Sequence, residues 1–381
     1  MKHFAALIFL TCLLTSEYGA TADEVPPDPR VKVIVEELEL QRSDTALRDN
    51  PRWQPQRIVI SLPPGITQQM PELEAQVRRS ANGVEVIFDT SNNMVPSAEI
   101  MAEADAFIGL CTPAAIANAS PRLLWVHSYY AGIEECADLP PQQVEGRIFT
   151  NSKRLAGPAI AEHSMAMLLS LTTGLPNYQR AQIESRWDKS RAAGAKFGEL
   201  RGKTMLVVGL GGIGTEIAWR ANSLGMQVLA TRSSSREGPD FIEYIGLPEE
   251  LPLLASQADV VVNALPLTHQ TTRIFDKTFF DTMKTGSIFI SVGRGQSTVT
   301  AALVSALQSG KLYGAGLDVT DPEPLPADSP LWEMNNVIIT PHVAAASPAS
   351  MQRTAIVAAE NLRRYVDGGY LLNVVDLKAG Y

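Results

Sequence analysis

The chain has 381 residues, 45% hydrophobic and 19% charged. That suffices for two or three domains with full cores and excludes intrinsic disorder, collagen-like repeats and a small disulfide scaffold. A net charge of −9 without any Lys/Arg run argues against a nucleic-acid partner, and five histidines and three cysteines without ligand spacing argue against a metal site.

Met1-Lys2-His3 is short and basic, Phe4–Leu14 is apolar apart from Thr11, and Ala20-Thr21-Ala22 precedes Asp23. This order describes a signal peptide over residues 1–22, and its apolar run is too short to span a membrane. The expectation is an exported, periplasmic protein with no membrane attachment after cleavage; with a non-functional leader the protein stays cytoplasmic. No twin-arginine pair precedes the apolar run, so export is of an unfolded chain that acquires any cofactor outside. Cleavage removes Cys12. Cys111 and Cys136 then either pair in an oxidising compartment or remain two buried thiols.

Residues 23–56 read as a linker and N-terminal extension. Val25-Pro26-Pro27-Asp28-Pro29 is expected as an extended tether, and Val31–Val35 as an added edge strand. Residues 57–155 carry five apolar runs: Arg57–Ser61, Val84–Phe88, Ala106–Leu110, Leu123–His127 and Arg147–Thr150. Helical stretches at Met70–Ser80 and Pro96–Ala104 separate the early ones, which predicts a parallel α/β sheet. Gly157-Pro158 then starts a long apolar helix running to Leu171.

Within residues 156–345 a second series follows: Thr204–Val208, Gln227–Ala230, Val260–Asn263, Ser287–Ser291, Gly314–Asp318 and Val337–Thr340. Six strands are the count of a complete dinucleotide-binding sheet. An amphipathic helix, Ala349–Gly368, lies in the segment 346–381 and is expected to cross back to the first domain. The fold class is therefore α/β in two domains, with a Rossmann dinucleotide-binding domain inserted into a flavodoxin-like substrate domain.

Gly209-Leu210-Gly211-Gly212-Ile213-Gly214 follows one strand and opens the helix Thr215–Ser223. Gly209 permits the tight turn, Gly211 lets backbone N–H groups approach a pyrophosphate, and Gly214 allows close packing of helix on strand. The next strand ends in Ala230-Thr231-Arg232-Ser233-Ser234-Ser235-Arg236, with no Asp or Glu for a ribose 2′-hydroxyl. Arg232 and Arg236, with Ser233 and Ser234, suit a 2′-phosphate, so NADP is expected over NAD. Further cofactor contacts are expected from Gly212, Ile213, Leu265, Pro266, Thr272, Val292 and Gly293.

Arg294, Glu323 and His342 each stand just beyond a late strand, on the side where open α/β sheets bind ligands. His127 and His163 read as structural, and His269 as exposed on the cofactor-side loop.

Residues 57–376 resemble the D-isomer-specific 2-hydroxyacid dehydrogenases, which include phosphoglycerate dehydrogenase and glyoxylate/hydroxypyruvate reductases. Met283–Gly295 resembles the family's arginine signature, Gly316–Val319 through Glu323-Pro324 its glutamate segment, and Thr340-Pro341-His342 its histidine segment. Leu124–Ser128 with Ala131-Gly132 resembles the substrate loop, and Ala161-Glu162-His163 the start of the interdomain helix. Formate dehydrogenases carry Gln where Glu323 stands, which argues against that branch. Val343-Ala344-Ala345-Ala346 departs from a frequent Gly-Gly.

The resemblance implies roles. Arg294 makes a two-pronged contact with a carboxylate, and backbone N–H groups at Ala131 and Gly132 hold the same group. His342 exchanges a proton with the substrate oxygen, while Glu323 orients the ring and favours its protonated form. Asp318 sits near the nicotinamide carboxamide. The reaction implied is transfer of hydride between NADP(H) or NAD(H) and a small 2-oxo or 2-hydroxy acid of the glyoxylate/hydroxypyruvate kind, by a homodimer. Selectivity is expected from Ser61–Gly65, Tyr129–Tyr130 and the interdomain helix.

Two other classes share parts of the pattern. A dinucleotide sensor on the same fold would not need Arg294, Glu323 and His342. A periplasmic solute-binding protein also has two α/β lobes and a leader, but would not need the glycine turn.

Overall fold

The computed structural model describes residues 27–377 except 70, 118, 138 and 190–196. The expected signal peptide, and Val25 and Pro26 of the expected tether, lie outside the described residues.

Two parallel sheets organise the chain. The first contains β1 (Arg57–Ser61), β2 (Glu85–Asp89), β3 (Ala106–Gly109), β4 (Trp125–Ser128) and β5 (Ile148–Thr150), in the order β2-β1-β3-β4-β5. This is the flavodoxin-like order. Register is set in the middle, where Val59 faces Ile87 on one side and Phe107 on the other. Both faces of the sheet are covered, so its strands are near-continuous apolar runs rather than alternating ones.

The second sheet contains β6 (Thr204–Val208), β7 (Gln227–Thr231), β8 (Tyr244–Gly246), β9 (Val260–Asn263), β10 (Ser287–Ser291), β11 (Leu312–Leu317) and β12 (Val337–Ile339). Its order is β12-β11-β10-β9-β6-β7-β8, the doubly wound arrangement with one strand more than the six expected. The addition is β8, three residues at the edge whose signal was too short to distinguish from a loop. Direction of winding reverses between β6 and β9, which opens the crevice used for ligands in such sheets.

The interdomain helix, Gly157–Thr173, covers one face of this sheet. Met165, Leu168 and Leu171 pack with Val262, Ile288 and Ile290. The helix after the glycine loop, Gly212–Ser223, adds Ile217, Ala218 and Ala221 to the same core. The opposite face is filled by aromatic packing of Phe275, Phe279, Phe280 and Phe289, with rings about 5 Å apart in edge and tilted contacts.

The expected strand over Val31–Val35 is instead a helix, Pro29–Glu37. Val31, Ile34 and Leu38 are buried at helical spacing against Ile356, Val357 and Leu372. Pro29 occupies the first turn and Asp28 caps it by accepting the Arg30 N–H at 2.9 Å, so the expected tether ends in a helix start. Alternation of period two and a short stripe of period 3.6 coincide over five residues, and the tertiary contacts decide.

The C-terminal helix, Pro348–Val366, packs on the first domain. Ser347 caps its start by accepting the Ser350 N–H at 3.0 Å. Tyr365 stacks on Trp125 at 5.0 Å, and its hydroxyl donates to the Asp105 carboxylate at 3.1 Å. Trp53 Nε1 donates to the Tyr365 carbonyl at 2.7 Å.

Candidate active site

The glycine turn sits where β6 and β9 diverge. Gly209 has φ +98°, and a Cβ there would stand 3.0 Å from the Ala264 carbonyl beyond β9. A Cβ on Gly214 would run into the Gly209 carbonyl, so helix and strand approach through glycine alone. Gly211 has nothing within 4 Å of its Cβ position, which leaves its backbone open above the first turn of the following helix. Those first-turn N–H groups have no acceptors inside the helix. An open glycine at a helix N-terminus in the crevice of a doubly wound sheet fits a dinucleotide pyrophosphate.

At the end of β7, Arg232 donates through Nη1 to the Glu237 carbonyl at 2.9 Å, and Ser233 beside it is exposed. Arg236 is differently placed: it pairs with Glu250 at 2.7 Å and donates to the Tyr244 hydroxyl at 2.7 Å. The Tyr244 hydroxyl, the Leu247 N–H and Arg236 together pull the Glu250 carboxyl down to about 2. Arg236 is thus held by a surface network, and Arg232 and Ser233 are the pair at the strand tip.

The loops after β9 and β10 are tied by a buried asparagine. Asn263 donates through Nδ2 to Ser291 Oγ at 3.0 Å and Ser297 Oγ at 2.8 Å, and accepts the Leu265 N–H at 3.1 Å. Ser297 in turn donates to the Arg294 carbonyl at 2.6 Å. Leu265, Pro266, Val292, Gly293 and Arg294 are therefore one connected unit. A Cβ on Gly293 would lie 2.6 Å from the Leu265 carbonyl, and one on Gly295 would collide with the Thr320 backbone. Thr272 lies further along the β9 loop, is exposed, and donates to the Thr268 carbonyl at 2.7 Å. His269 is exposed in the same loop.

His342 follows β12 in a left-handed conformation, φ +54°. Its Nδ1 stands 2.7 Å from Glu323 Oε1. With Nδ1–H donating to the carboxylate, Nε2 is the nitrogen left to exchange a proton. The backbone conformation is fixed from below by Asp318, which is buried. One carboxylate oxygen accepts the Thr340 hydroxyl at 2.7 Å and the Val343 N–H at 2.9 Å, and the other accepts the Ala344 N–H at 3.1 Å. The Asp318 carbonyl accepts the His342 N–H at 2.8 Å. His163 Nε2 lies 2.9 Å from the Thr340 hydroxyl, linking the interdomain helix to the same anchor. Since that hydroxyl gives its proton to Asp318, His163 is the donor to it.

Arg294 and His342 share the wall of a cavity of about 900 Å³ with Asp318, Ile213 and Val292 from the nucleotide domain. Ala131 and Gly132, from the loop after β4, line it from the first domain. Glu323 stands behind His342. Arg232, Ser233, Leu265, Pro266 and Thr272 do not line this cavity; the first two follow β7 and the other three follow β9, the strands that flank the glycine turn's β6 on either side. Cys111 and Cys136 are bonded, with Cα atoms 5.6 Å apart, and Cys111 forms part of the cavity wall.

His127 is fully buried on β4, with Nδ1 2.8 Å from the Thr150 hydroxyl and no partner at Nε2. Burial lowers its pKa to about 3, so the ring is neutral. Asn263, Ser297 and the His163–Thr340 link had no assigned role from sequence. Asn263 carried a signal: a lone amide closing the apolar strand Val260-Val261-Val262 at the sheet's ligand end.

The fold and this crevice define a two-domain dinucleotide-dependent oxidoreductase. Residues 165–344 match the D-isomer specific 2-hydroxyacid dehydrogenase, NAD binding domain. A glyoxylate reductase of Korarchaeum cryptofilum is 30% identical over 324 residues, covering 82% of this chain and 95% of its own. A D-isomer specific 2-hydroxyacid dehydrogenase family protein of Aeromonas salmonicida superposes with TM-score 0.71 at 31% identity, over 85% of this chain and all of that one. An NADPH-dependent glyoxylate/hydroxypyruvate reductase of Sinorhizobium meliloti, solved with NADP and sulfate, gives 0.70 at 27% identity, over 86% of this chain and all of that one. The chain belongs to the D-isomer specific 2-hydroxyacid dehydrogenase family, acting on CH–OH donors with NAD(P).

Proposed function

We propose that the protein reduces a small 2-oxo acid to the D-2-hydroxy acid, with NADPH preferred over NADH. The observation that carries this reading is the 2.7 Å contact between His342 Nδ1 and Glu323, set on the same cavity wall as Arg294. Arg294, with the N–H groups of Ala131 and Gly132, holds the substrate carboxylate. His342 Nε2 delivers a proton to the C2 oxygen, and Glu323 compensates the ring's charge before transfer. The reduced nicotinamide supplies the hydride to C2. Asp318 keeps the His342 segment in place and lies beside the nicotinamide end of the crevice.

Glyoxylate and hydroxypyruvate are short members of this substrate class, and the relatives that bear those names support them. Arg232 and Ser233 at the tip of β7 support the NADPH preference. A homodimer is supported by exposed Leu175, Ile183 and Trp187 along and just after the helix that follows the interdomain helix, with Trp219 exposed on the glycine-loop helix. The apolar segment Phe4–Leu14 supports export to the periplasm.

The test is oxidation of NADPH and NADH by the chain from Asp23 onward, with glyoxylate and hydroxypyruvate. NADPH-dependent turnover that falls by at least a hundredfold in Arg294→Ala and His342→Ala is expected. Wild-type rates in either variant overturn the assignment. Tight NADPH binding with no turnover on any 2-oxo acid turns the protein into a dinucleotide sensor.

A further inference from the structure

The cavity at Arg294 and His342 does not end at the reacting centre. It continues into the first domain, between that sheet and the C-terminal helix. Its inner wall is apolar: Leu62 and Ile66 from the segment after β1, Ile108 from β3, and Ala355, Ala358 and Leu362 from the helix. Leu62, Ile108, Ala358 and Leu362 show little of their surface and belong to one packed core, so the extension is narrow at its inner end.

The helix face explains the space. Ala355, Ala358 and Ala359 fall at i, i+3 and i+4, so three methyl groups in one stripe face the cavity where larger side chains would close it. Glyoxylate carries only hydrogen on C2 and would leave this extension unfilled. Hydroxypyruvate would direct a hydroxyl at it.

Charge narrows the class further. Among the described residues lining the cavity, Arg294 is the one Arg or Lys, and Glu135 stands exposed at the rim. Arg294 is already assigned to the substrate carboxylate. A phosphorylated side chain would meet no second Arg or Lys among the described lining residues.

We infer that the preferred substrate is a 2-oxo acid with a branched or aromatic apolar side chain seated between β1, β3 and the C-terminal helix. This rests on the reductase reading above for the roles of Arg294 and His342, and replaces its glyoxylate-sized substrate by a longer one. Carboxylate and C2 oxygen stay at Arg294 and His342, and the side chain fills the apolar extension. Each methylene buried in such a pocket contributes roughly tenfold or more to discrimination.

The experiment compares kcat/KM with NADPH for glyoxylate, pyruvate, 4-methyl-2-oxopentanoate, phenylpyruvate and phosphohydroxypyruvate. At least tenfold higher efficiency with 4-methyl-2-oxopentanoate or phenylpyruvate than with glyoxylate is expected, with phosphohydroxypyruvate the poorest. Ala355→Leu, which fills the extension, narrows the ratio of the long to the short substrate by about tenfold. If that variant fails to fold, the wild-type series decides alone. Glyoxylate or phosphohydroxypyruvate as the best substrate overturns the inference and leaves the reductase standing. Absence of turnover on all five overturns the reductase reading and the inference with it.

Discussion

Asp318 holds the backbone N–H of Val343 at 2.9 Å and so fixes the turn on which His342 is carried. Its carboxylate accepts three hydrogen bonds, each from the Thr340–Ala344 segment. Asp318→Asn replaces one accepting oxygen by a donor that would face an N–H or a hydroxyl proton. A buried donor left unpaired costs about 1–3 kcal/mol. We expect a lower thermal midpoint and a loss of kcat of at least tenfold. Unchanged kcat would mean that the turn holds His342 without this carboxylate.

The cofactor prediction separates two arginines that look equivalent in sequence. Arg236 is engaged with Glu250 and Tyr244, whereas Arg232 sits with Ser233 at the strand tip. A charge-assisted hydrogen bond contributes about 1.5–3 kcal/mol, or roughly ten- to a hundredfold. Arg232→Ala is expected to reduce the NADPH-over-NADH ratio of kcat/KM by that factor. Arg236→Ala should change it by less than threefold. Steady-state kinetics with both cofactors decide, and equal effects of the two variants would remove the distinction.

Buried His127 makes stability depend on pH. Its folded pKa is about 3 against an ordinary 6.5, because desolvation disfavours the charged ring. The unfolded chain therefore takes up a proton below pH 6.5 that the folded chain refuses. Stability is full above that value and falls as pH drops toward 3. Between pH 7 and pH 5 the loss is about 2 kcal/mol. Denaturant melts of wild type and His127→Asn at the two pH values measure it. An equal loss in both proteins would assign the pH dependence elsewhere.

The Cys111–Cys136 bond closes a loop with a sequence separation of 25 residues. Chain entropy for a loop of that size gives about 3 kcal/mol. Cys136→Ser, or mild reduction of the wild type, is expected to lower stability by that order. Because Cys111 lines the cavity, KM for the 2-oxo acid should rise as well. Alkylation that finds both thiols free in the untreated protein would contradict the bond.

Much of this was legible in the sequence, for reasons that differ by element. The strands β1, β6, β9 and β10 are continuous buried runs with sharp polar ends, and their boundaries coincide with the runs in the chain. Arg294, Glu323 and His342 stand beyond strand ends, so the topology alone puts them on one side of the sheet. Val31–Val35 misled because a five-residue apolar segment carries too few repeats to separate two periods. The disulfide stayed open because a covalent bond depends on separation in space. Of the apolar extension only Leu62, in the segment Ser61–Gly65 expected to govern selectivity, is legible in the sequence; Ile108 and the C-terminal helix join it only through the fold. Ala355, Ala358 and Ala359 are unremarkable in a sequence, since small residues declare a cavity only when the opposite wall is known.

The return of the C-terminal helix has a bearing on the order in which the chain can be built. Tyr365 closes on Asp105 across 260 residues, and Leu362 and Tyr365 belong to the same core as Ile58 and Trp125. The first sheet is therefore covered on that face partly by Leu73 and Val77 and completed only by Leu362 and Tyr365 of the helix Pro348–Val366, wherever the chain folds. The dinucleotide domain is drawn from a single uninterrupted stretch and can condense first. The first domain is thus begun before the dinucleotide domain and finished after it, and in between part of its sheet stands uncovered.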